Sequence, residues 1–301
     1  MDARPGHTPA SKHTQVLRLP DGRQIGYAEY GEPNGLPVIA LHGTPGSRFM
    51  FALTEEGAQE RGIRLIAPER PGYGLSDARY ANSLAAIAAD VVALADALGI
   101  GRCAVIGVSG GGPHAVAACA ALKGRGALLA LISPVGPIAD AGNEISMSFA
   151  HRLVFQKLGR SPSLCAGFFY GLRALLRVAP DFARGLLRRR VPSSDREVFA
   201  RPEVLANLQA AVREGLRQGV DGAVQDLRLF TRPWNIGLAD LDVQAVLWQG
   251  SDDTIVPPEA AYRLARSLPH CRLEVIEDAG HYWIFGRFNM VLDAAAAALR
   301  A

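Results

Sequence analysis

Cys103-Ala104-Val105-Ile106-Gly107-Val108-Ser109-Gly110-Gly111-Gly112-Pro113 is the stretch on which the fold turns. Cys103 to Val108 is a continuous apolar run of strand length, the pattern of a strand buried on both faces. Pro113 suits the first turn of a helix, where N–H groups lack intrahelical partners anyway. Between the two stands Gly107-Val108-Ser109-Gly110-Gly111, a G-x-S-x-G pattern. In a chain with 32 glycines the bare pattern is weak, and its placement between strand and helix gives it weight. A serine there must occupy a sharp, strained turn. Side chains two positions to either side would collide, and Gly107 and Gly111 remove them. The hydroxyl is then exposed at the C-terminal end of the strand, facing the same space as the N–H groups of the following helix. The G-x-G-x-x-G pattern of a dinucleotide site is not matched.

Outward from this turn, apolar runs recur at Val38 to Leu41, Ile63 to Ala67, Leu128 to Ile132, Ala245 to Trp248 and Leu273 to Ile276. Helical patterns separate them: Ser83 to Leu98, Pro113 to Leu122 with Gly124 as its stop, Pro258 to Leu268, and Trp283 to the C-terminus. Val16 to Leu19 and Gln24 to Tyr30 flank the turn signal Pro20-Asp21-Gly22-Arg23, which predicts an antiparallel hairpin. The whole predicts an α/β fold, doubly wound, with a mostly parallel eight-stranded sheet and the hairpin at one edge. Residues 1–14, polar and rich in Pro and Gly, read as a flexible tail.

The strand and helix alternation stops between residues 137 and 232, where helical periodicity dominates. This predicts a helical lid of residues 137–232 inserted into a core of residues 15–136 and 233–301. Leu164, Phe168, Leu172 and Leu175 repeat at helical spacing, as do Val204, Leu208, Ala211 and Val212, each set with arginines on the other side. The mouth of the sheet is the surface available to them. Residues 151–190 hold nine Lys/Arg against one acid, Asp181. Charge runs are most often solvated helix faces, although this one also fits anionic substrates or a membrane surface.

Composition narrows the function classes. A chain of 49% hydrophobic and 20% charged residues is ordinarily globular, and a net charge of +3 is by itself too small to argue for or against any partner. No nucleic-acid motif is present. No apolar run is long enough for a transmembrane helix, and the polar start resembles no secretory signal, so a cytoplasmic protein is expected. Cys103, Cys119, Cys165 and Cys271 are widely spaced without a C-x-x-C pair, which suggests buried thiols rather than disulfides or zinc. A homo-oligomer is compatible with all of this.

A serine hydroxyl is a poor nucleophile at neutral pH and needs a base, which in turn needs a partner that fixes its tautomer. In Leu247-Trp248-Gln249-Gly250-Ser251-Asp252-Asp253 an apolar strand runs into an acidic loop; in Asp278-Ala279-Gly280-His281 a histidine follows the next strand in the same way. The order Ser, Asp, His suits a sheet of this kind, with either Asp252 or Asp253 as the acid. His7 and His13 lie in the tail, His151 in the lid and His270 at the wrong end of the sheet. His42 is expected to shape its loop, and His114 to point along its helix away from the serine. An attacked carbonyl also needs preorganised donors for its oxyanion. The N–H of Gly110 is one, and the loop His42-Gly43-Thr44-Pro45-Gly46 supplies the second. Gly43 allows close approach, and the N–H of Thr44 is chosen because Pro45 has none.

With these residues in place the chain resembles the α/β-hydrolase superfamily, in the serine-nucleophile branch with a helical lid, over nearly all of residues 15–301. The H-G-x-P-G motif falls on His42 to Gly46, R-P-G-x-G-x-S on Arg70 to Ser76, G-x-S-x-G-G on Gly107 to Gly112, G-x-x-D-x-x-V-P on Gly250 to Pro257, and G-H on Gly280-His281. The resemblance implies Ser109 as nucleophile, His281 as base and Asp253 as the acid; members that take the acid from the preceding strand would point to Asp140. Epoxide hydrolases and haloalkane dehalogenases of similar fold carry an aspartate where Ser109 stands. Proline iminopeptidases favour a glycine at Thr44 and a tryptophan at Gly110.

The implied activity is hydrolysis of a small carboxylic ester or lactone with an apolar acyl group, without cofactor or metal. The same constellation also serves amide, thioester or carbon–carbon bond hydrolysis and cofactor-free perhydrolysis. A receptor-like ligand binder with little turnover is the reading from another class, against which a complete set of five site residues argues.

Overall fold

The computed structural model describes residues 14–139, 148–190 and 193–301. Eight strands form a single sheet in the order β1-β2-β4-β3-β5-β6-β7-β8. They are β1 (Thr14–Arg18), β2 (Gln24–Gly31), β3 (Leu36–Leu41), β4 (Ile63–Pro68), β5 (Cys103–Val108), β6 (Gly126–Ile132), β7 (Ala245–Gly250) and β8 (Cys271–Ile276). All neighbours from β4 to β8 pair in parallel, while β1 with β2 and β2 with β4 pair antiparallel. Thr14, read above as the end of a tail, opens β1 and pairs with Ala28; the rest of that tail, with His7 and His13, lies outside the described residues.

Alternate side chains of each central strand feed two separate cores, which is why these strands read as unbroken apolar runs. Val105, Leu129 and Leu131 pack on one face under α2 (Leu84–Ala97) and α3 (Gly111–Ala121), and Ala104, Ile106 and Ile132 on the other. The short α1 (Glu55–Glu60) and the 3₁₀ turn before it, Arg48–Thr54, escape the sequence pattern because each is about a turn or two long. Ser83 caps α2 by accepting from the Ala86 N–H. β8 departs from the expected two-sided burial: as the edge strand it leaves Leu273 and Val275 exposed. α3 begins at Gly111, two residues before the expected Pro113, with Gly110 at its N-cap.

Between β6 and β7 the regular elements of the described residues are all helices. α4 (Phe149–His151) runs on as a π-helical segment, Arg152–Leu158, and is followed by α5 (Pro162–Val178), α6 (Pro180–Arg190), α7 (Arg196–Ala200), α8 (Pro202–Gly215) and α9 (Asp221–Phe230). On α5 the expected stripe is displaced. Leu164 and Phe168 are exposed and the buried residues are Cys165, Phe169 and Leu176. The helix is apolar on more than one side, so periodicity alone could not choose the buried face. On α8, Val204, Leu208 and Ala211 are buried as expected. α10 (Pro258–Ser267) and α11 (Phe288–Arg300) complete the sheet's cover. Among the described residues all four cysteines are free thiols, and no helix is long and apolar enough to cross a membrane.

Candidate active site

Ser109 follows β5 directly and has φ of 53°, a conformation a non-glycine residue adopts only where its surroundings enforce it. The glycines around it make that turn sterically feasible. A Cβ at Gly107 would come within 2.7 Å of the Ala115 Cβ, and one at Gly111 would run into the Leu41 carbonyl. The neighbouring strand fixes the turn further: the Ser109 N–H donates to the Ile132 carbonyl at 2.8 Å, and the Ser109 carbonyl accepts from Gly112 at 2.9 Å and Val135 at 3.0 Å.

His281 and Asp253 lie on the loops after β8 and β7, so the parallel sheet delivers all three side chains to the same C-terminal edge. The Ser109 Oγ is 3.0 Å from His281 Nε2, and His281 Nδ1 is 2.8 Å from Asp253 Oδ2. This network assigns the Nδ1–H tautomer, leaving Nε2 as the acceptor of the serine proton. Asp253 also accepts from Gln249 Nε2 at 3.0 Å and from the N–H groups of Ile255 and Val256 at 2.9 and 3.0 Å, which fills the capacity of a carboxylate. Burial would raise its pKa, but His281 and the Val256 and Ile255 N–H groups hold it below the usual aspartate value. For His281 burial alone disfavours the imidazolium; the Asp253 carboxylate more than offsets this and raises the pKa above 6.5. Its neighbour Asp252 is exposed and, among the described residues, bonds Ser251 and the Ala279 carbonyl. Asp140 lies outside the described residues.

The two proposed oxyanion donors flank Ser109. A Cβ at Gly110 would collide with the Thr44 side chain, so the N-cap of α3 and the β3 loop are in close contact. Neither the Thr44 N–H nor the Gly110 N–H has an acceptor among the described residues, whereas the Gly43 N–H is taken by Met50 Sδ at 3.3 Å. His42 is fully buried, with Nδ1 2.8 Å from the Gly43 carbonyl and Nε2 accepting from the Arg70 N–H at 3.4 Å. Burial and the Arg70 charge hold it neutral, well below the ordinary histidine pKa. His114 bonds Asp226 Oδ1 through Nε2 at 2.9 Å, and its Nδ1 has no partner among the described residues.

A cavity of about 390 Å³ opens over Ser109 and His281. Leu172, Leu175 and Leu176 of α5 and Leu205 and Leu208 of α8 form much of its wall. Arg184 of α6, ion-paired with Asp181 and bonded to Gln209 Oε1 at 3.0 Å, is the only Lys, Arg, Asp or Glu among its described lining. Of the other basic residues in the segment, Arg152, Lys157, Arg160 and Arg177 are exposed.

Two residues at this site carry no sequence motif. Asp195, buried between α6 and α7, accepts from the N–H groups of His281 at 3.0 Å and Tyr282 at 2.9 Å. Burial raises its pKa, opposed by those N–H groups and the His281 charge. Asp226 of α9 is buried against the His42–Thr44 loop. Its sequence signal is an acid on the apolar stripe of Ala223, Leu227 and Phe230.

A parallel sheet that gathers a strained serine, a histidine and a buried carboxylate beneath an apolar cavity is the architecture of an α/β-hydrolase enzyme. The sequence profile described as alpha/beta hydrolase fold matches residues 37–287, and the chain belongs to that family. It is similar to a non-heme chloroperoxidase of Streptomyces lividans, 30% identical with 87% of this chain and 90% of that protein covered. It is also similar to a 2-hydroxy-6-oxononadienedioate/2-hydroxy-6-oxononatrienedioate hydrolase of Burkholderia vietnamiensis, 27% identical over 95% and 96% of the two chains. Among solved structures, a thermophilic esterase from Thermogutta terrifontis superposes with a TM-score of 0.67 at 23% identity, covering 95% of this chain and 98% of that one. A bromoperoxidase from Bacillus anthracis gives 0.72 at 16%, covering 96% and 100%.

Proposed function

We propose that the chain is a serine hydrolase that cleaves small carboxylic esters or lactones with an apolar acyl group. The observation that carries the reading is the 3.0 Å contact of Ser109 Oγ with a histidine whose other nitrogen is 2.8 Å from a buried aspartate. His281 Nε2 takes the serine proton as Oγ attacks the carbonyl carbon, and Asp253 stabilises the imidazolium that results. The N–H groups of Thr44 and Gly110 receive the negative charge on the carbonyl oxygen. His281 then protonates the departing alcohol, leaving an acyl-serine; water, deprotonated by the same histidine, releases the acid and restores the hydroxyl. For a lactone, alcohol and acid remain in one product. No cofactor is required by these steps.

The helices of residues 137–232 act as a lid whose apolar wall receives the acyl group, and the free thiols fit a reducing compartment such as the cytoplasm. A second reading, carbon–carbon bond hydrolysis of a carboxylate-bearing substrate, is favoured by Arg184, which lines the cavity while paired with Asp181, and by the likeness to the Burkholderia hydrolase. Turnover of p-nitrophenyl esters from acetate to octanoate tests the first reading. Stopped-flow traces should show a burst of nitrophenolate, one per enzyme, followed by slower steady release. Absence of ester turnover with cleavage of a vinylogous keto acid would transfer the assignment to the second reading.

A further inference from the structure

Among the described residues of the insertion Asp226 is the most completely bonded carboxylate, and its bonds go to the core rather than to its own helices. Its side chain is 1% exposed. Oδ2 accepts from the Thr44 hydroxyl at 2.6 Å, the Tyr73 hydroxyl at 2.7 Å and Arg70 at 2.7 Å through Nη2, with Nε at 3.2 Å. Oδ1 is bonded to His114. Burial would raise the pKa of such a group; the Arg70 guanidinium overrides that, and Asp226 is held ionised.

Arg70, fixed in this way, reaches three successive residues of the β3 loop. It donates to the His42 carbonyl, to the Gly43 carbonyl at 3.1 Å and to the Thr44 hydroxyl at 3.0 Å. The Gly43 carbonyl and the Thr44 N–H belong to one planar peptide group. Holding that oxygen between Arg70 Nη2 and His42 Nδ1 therefore sets the direction of the Thr44 N–H on the opposite side. A charge-assisted bond at the carbonyl also polarises the N–H into a stronger donor. Buried ion pairs rarely add net stability over apolar replacements, so geometry is the better account of what this one contributes.

We propose that Asp226 is a positioning residue for the oxyanion hole: through Arg70 and the Thr44 hydroxyl, α9 of the lid aims the Thr44 N–H at the reacting carbonyl. The hole is complete only with α9 docked. This inference rests on the serine-hydrolase reading and on Thr44 as an oxyanion donor.

The test compares wild type with Asp226→Asn, Thr44→Val and Glu214→Gln on a p-nitrophenyl ester and on a trifluoromethyl ketone, which forms a tetrahedral oxyanion adduct with the serine. Loss of a whole oxyanion donor costs about 10²–10³ in rate, so misdirection in Asp226→Asn should lower kcat by roughly 10–10² with KM within about twofold. Ketone affinity should fall by the same factor. Thr44→Val keeps the Arg70–Asp226 pair and is close to isosteric; it should lose about tenfold in kcat and carries the test if Asp226→Asn does not fold. Glu214 is another lid acid bonded to the core, at 2.8 Å from Arg48, but with no link to the loop peptide. Glu214→Gln should lower the thermal midpoint and leave kcat and ketone affinity unchanged. Folded Asp226→Asn or Thr44→Val enzyme with wild-type kcat and ketone affinity overturns the inference, as does a Glu214→Gln enzyme with the same kinetic losses. A wild type with neither turnover nor ketone binding overturns the hydrolase reading itself, and this inference with it.

Discussion

The sheet core and the helices inserted between β6 and β7 solve burial in opposite ways. Every residue of β5 is buried and its side chains are apolar, whereas α5 buries Cys165, Phe169 and Leu176 and leaves Leu164, Phe168, Tyr170 and Val178 exposed. Yet it is the insertion that sends Asp195, Glu214 and Asp226 inward, each onto a donor of the core. The difference separates two tasks: the core fixes the proposed reacting groups by strand geometry, and the insertion shapes the cavity and braces two of the loops from outside.

That comparison predicts graded effects. Ser109→Ala should fold normally and lose about 10⁶ in kcat, since a nucleophile and its base act as a unit; steady-state ester hydrolysis with circular dichroism checks both. Asp253→Asn should cost about 10⁴ by misdirecting the His281 tautomer. The pH–rate profile sharpens this. Because Asp253 raises the His281 pKa above 6.5 and only neutral imidazole accepts the serine proton, activity should fall with acid through a midpoint above 6.5. The residual activity of Asp253→Asn should show a lower midpoint.

On the insertion's side effects should be smaller. Asp195→Ala frees the backbone at His281 and Tyr282 and should lower kcat by roughly 10–10², the scale of a misplaced catalytic group, with a weaker influence on KM. Leu208→Ala enlarges the cavity wall; it should shift preference toward longer acyl chains while costing about 1–3 kcal/mol of stability, read by urea melts and by the ester series. Asp252→Asn, on an exposed side chain, should change kcat by less than about twofold. A large effect there, or none for Asp195→Ala, would erase the distinction between braced and solvated acids.

The core was legible because parallel strands covered on both faces leave unbroken apolar runs, and because the turn at Ser109 tolerates so little besides glycine at 107 and 111. The edge strand β8 was less so, since its apolar residues lie half open to solvent. Asp195 was not legible, because its partners are backbone N–H groups 86 and 87 residues away, which leave no residue pattern; Asp226 left only an acid on an apolar stripe, with its partner Arg70 156 residues away. The wrong stripe on α5 has a related cause, because an amphipathic pattern shows that a face is buried but not which of two apolar faces meets the core.

The central claim is that Ser109 is an activated nucleophile. Incubation with a fluorophosphonate probe, followed by intact mass of wild type and Ser109→Ala, tests it most directly. A single adduct on wild type and none on Ser109→Ala is the predicted result. A folded wild type that gains no adduct, or a Ser109→Ala chain that gains the same one, would contradict it.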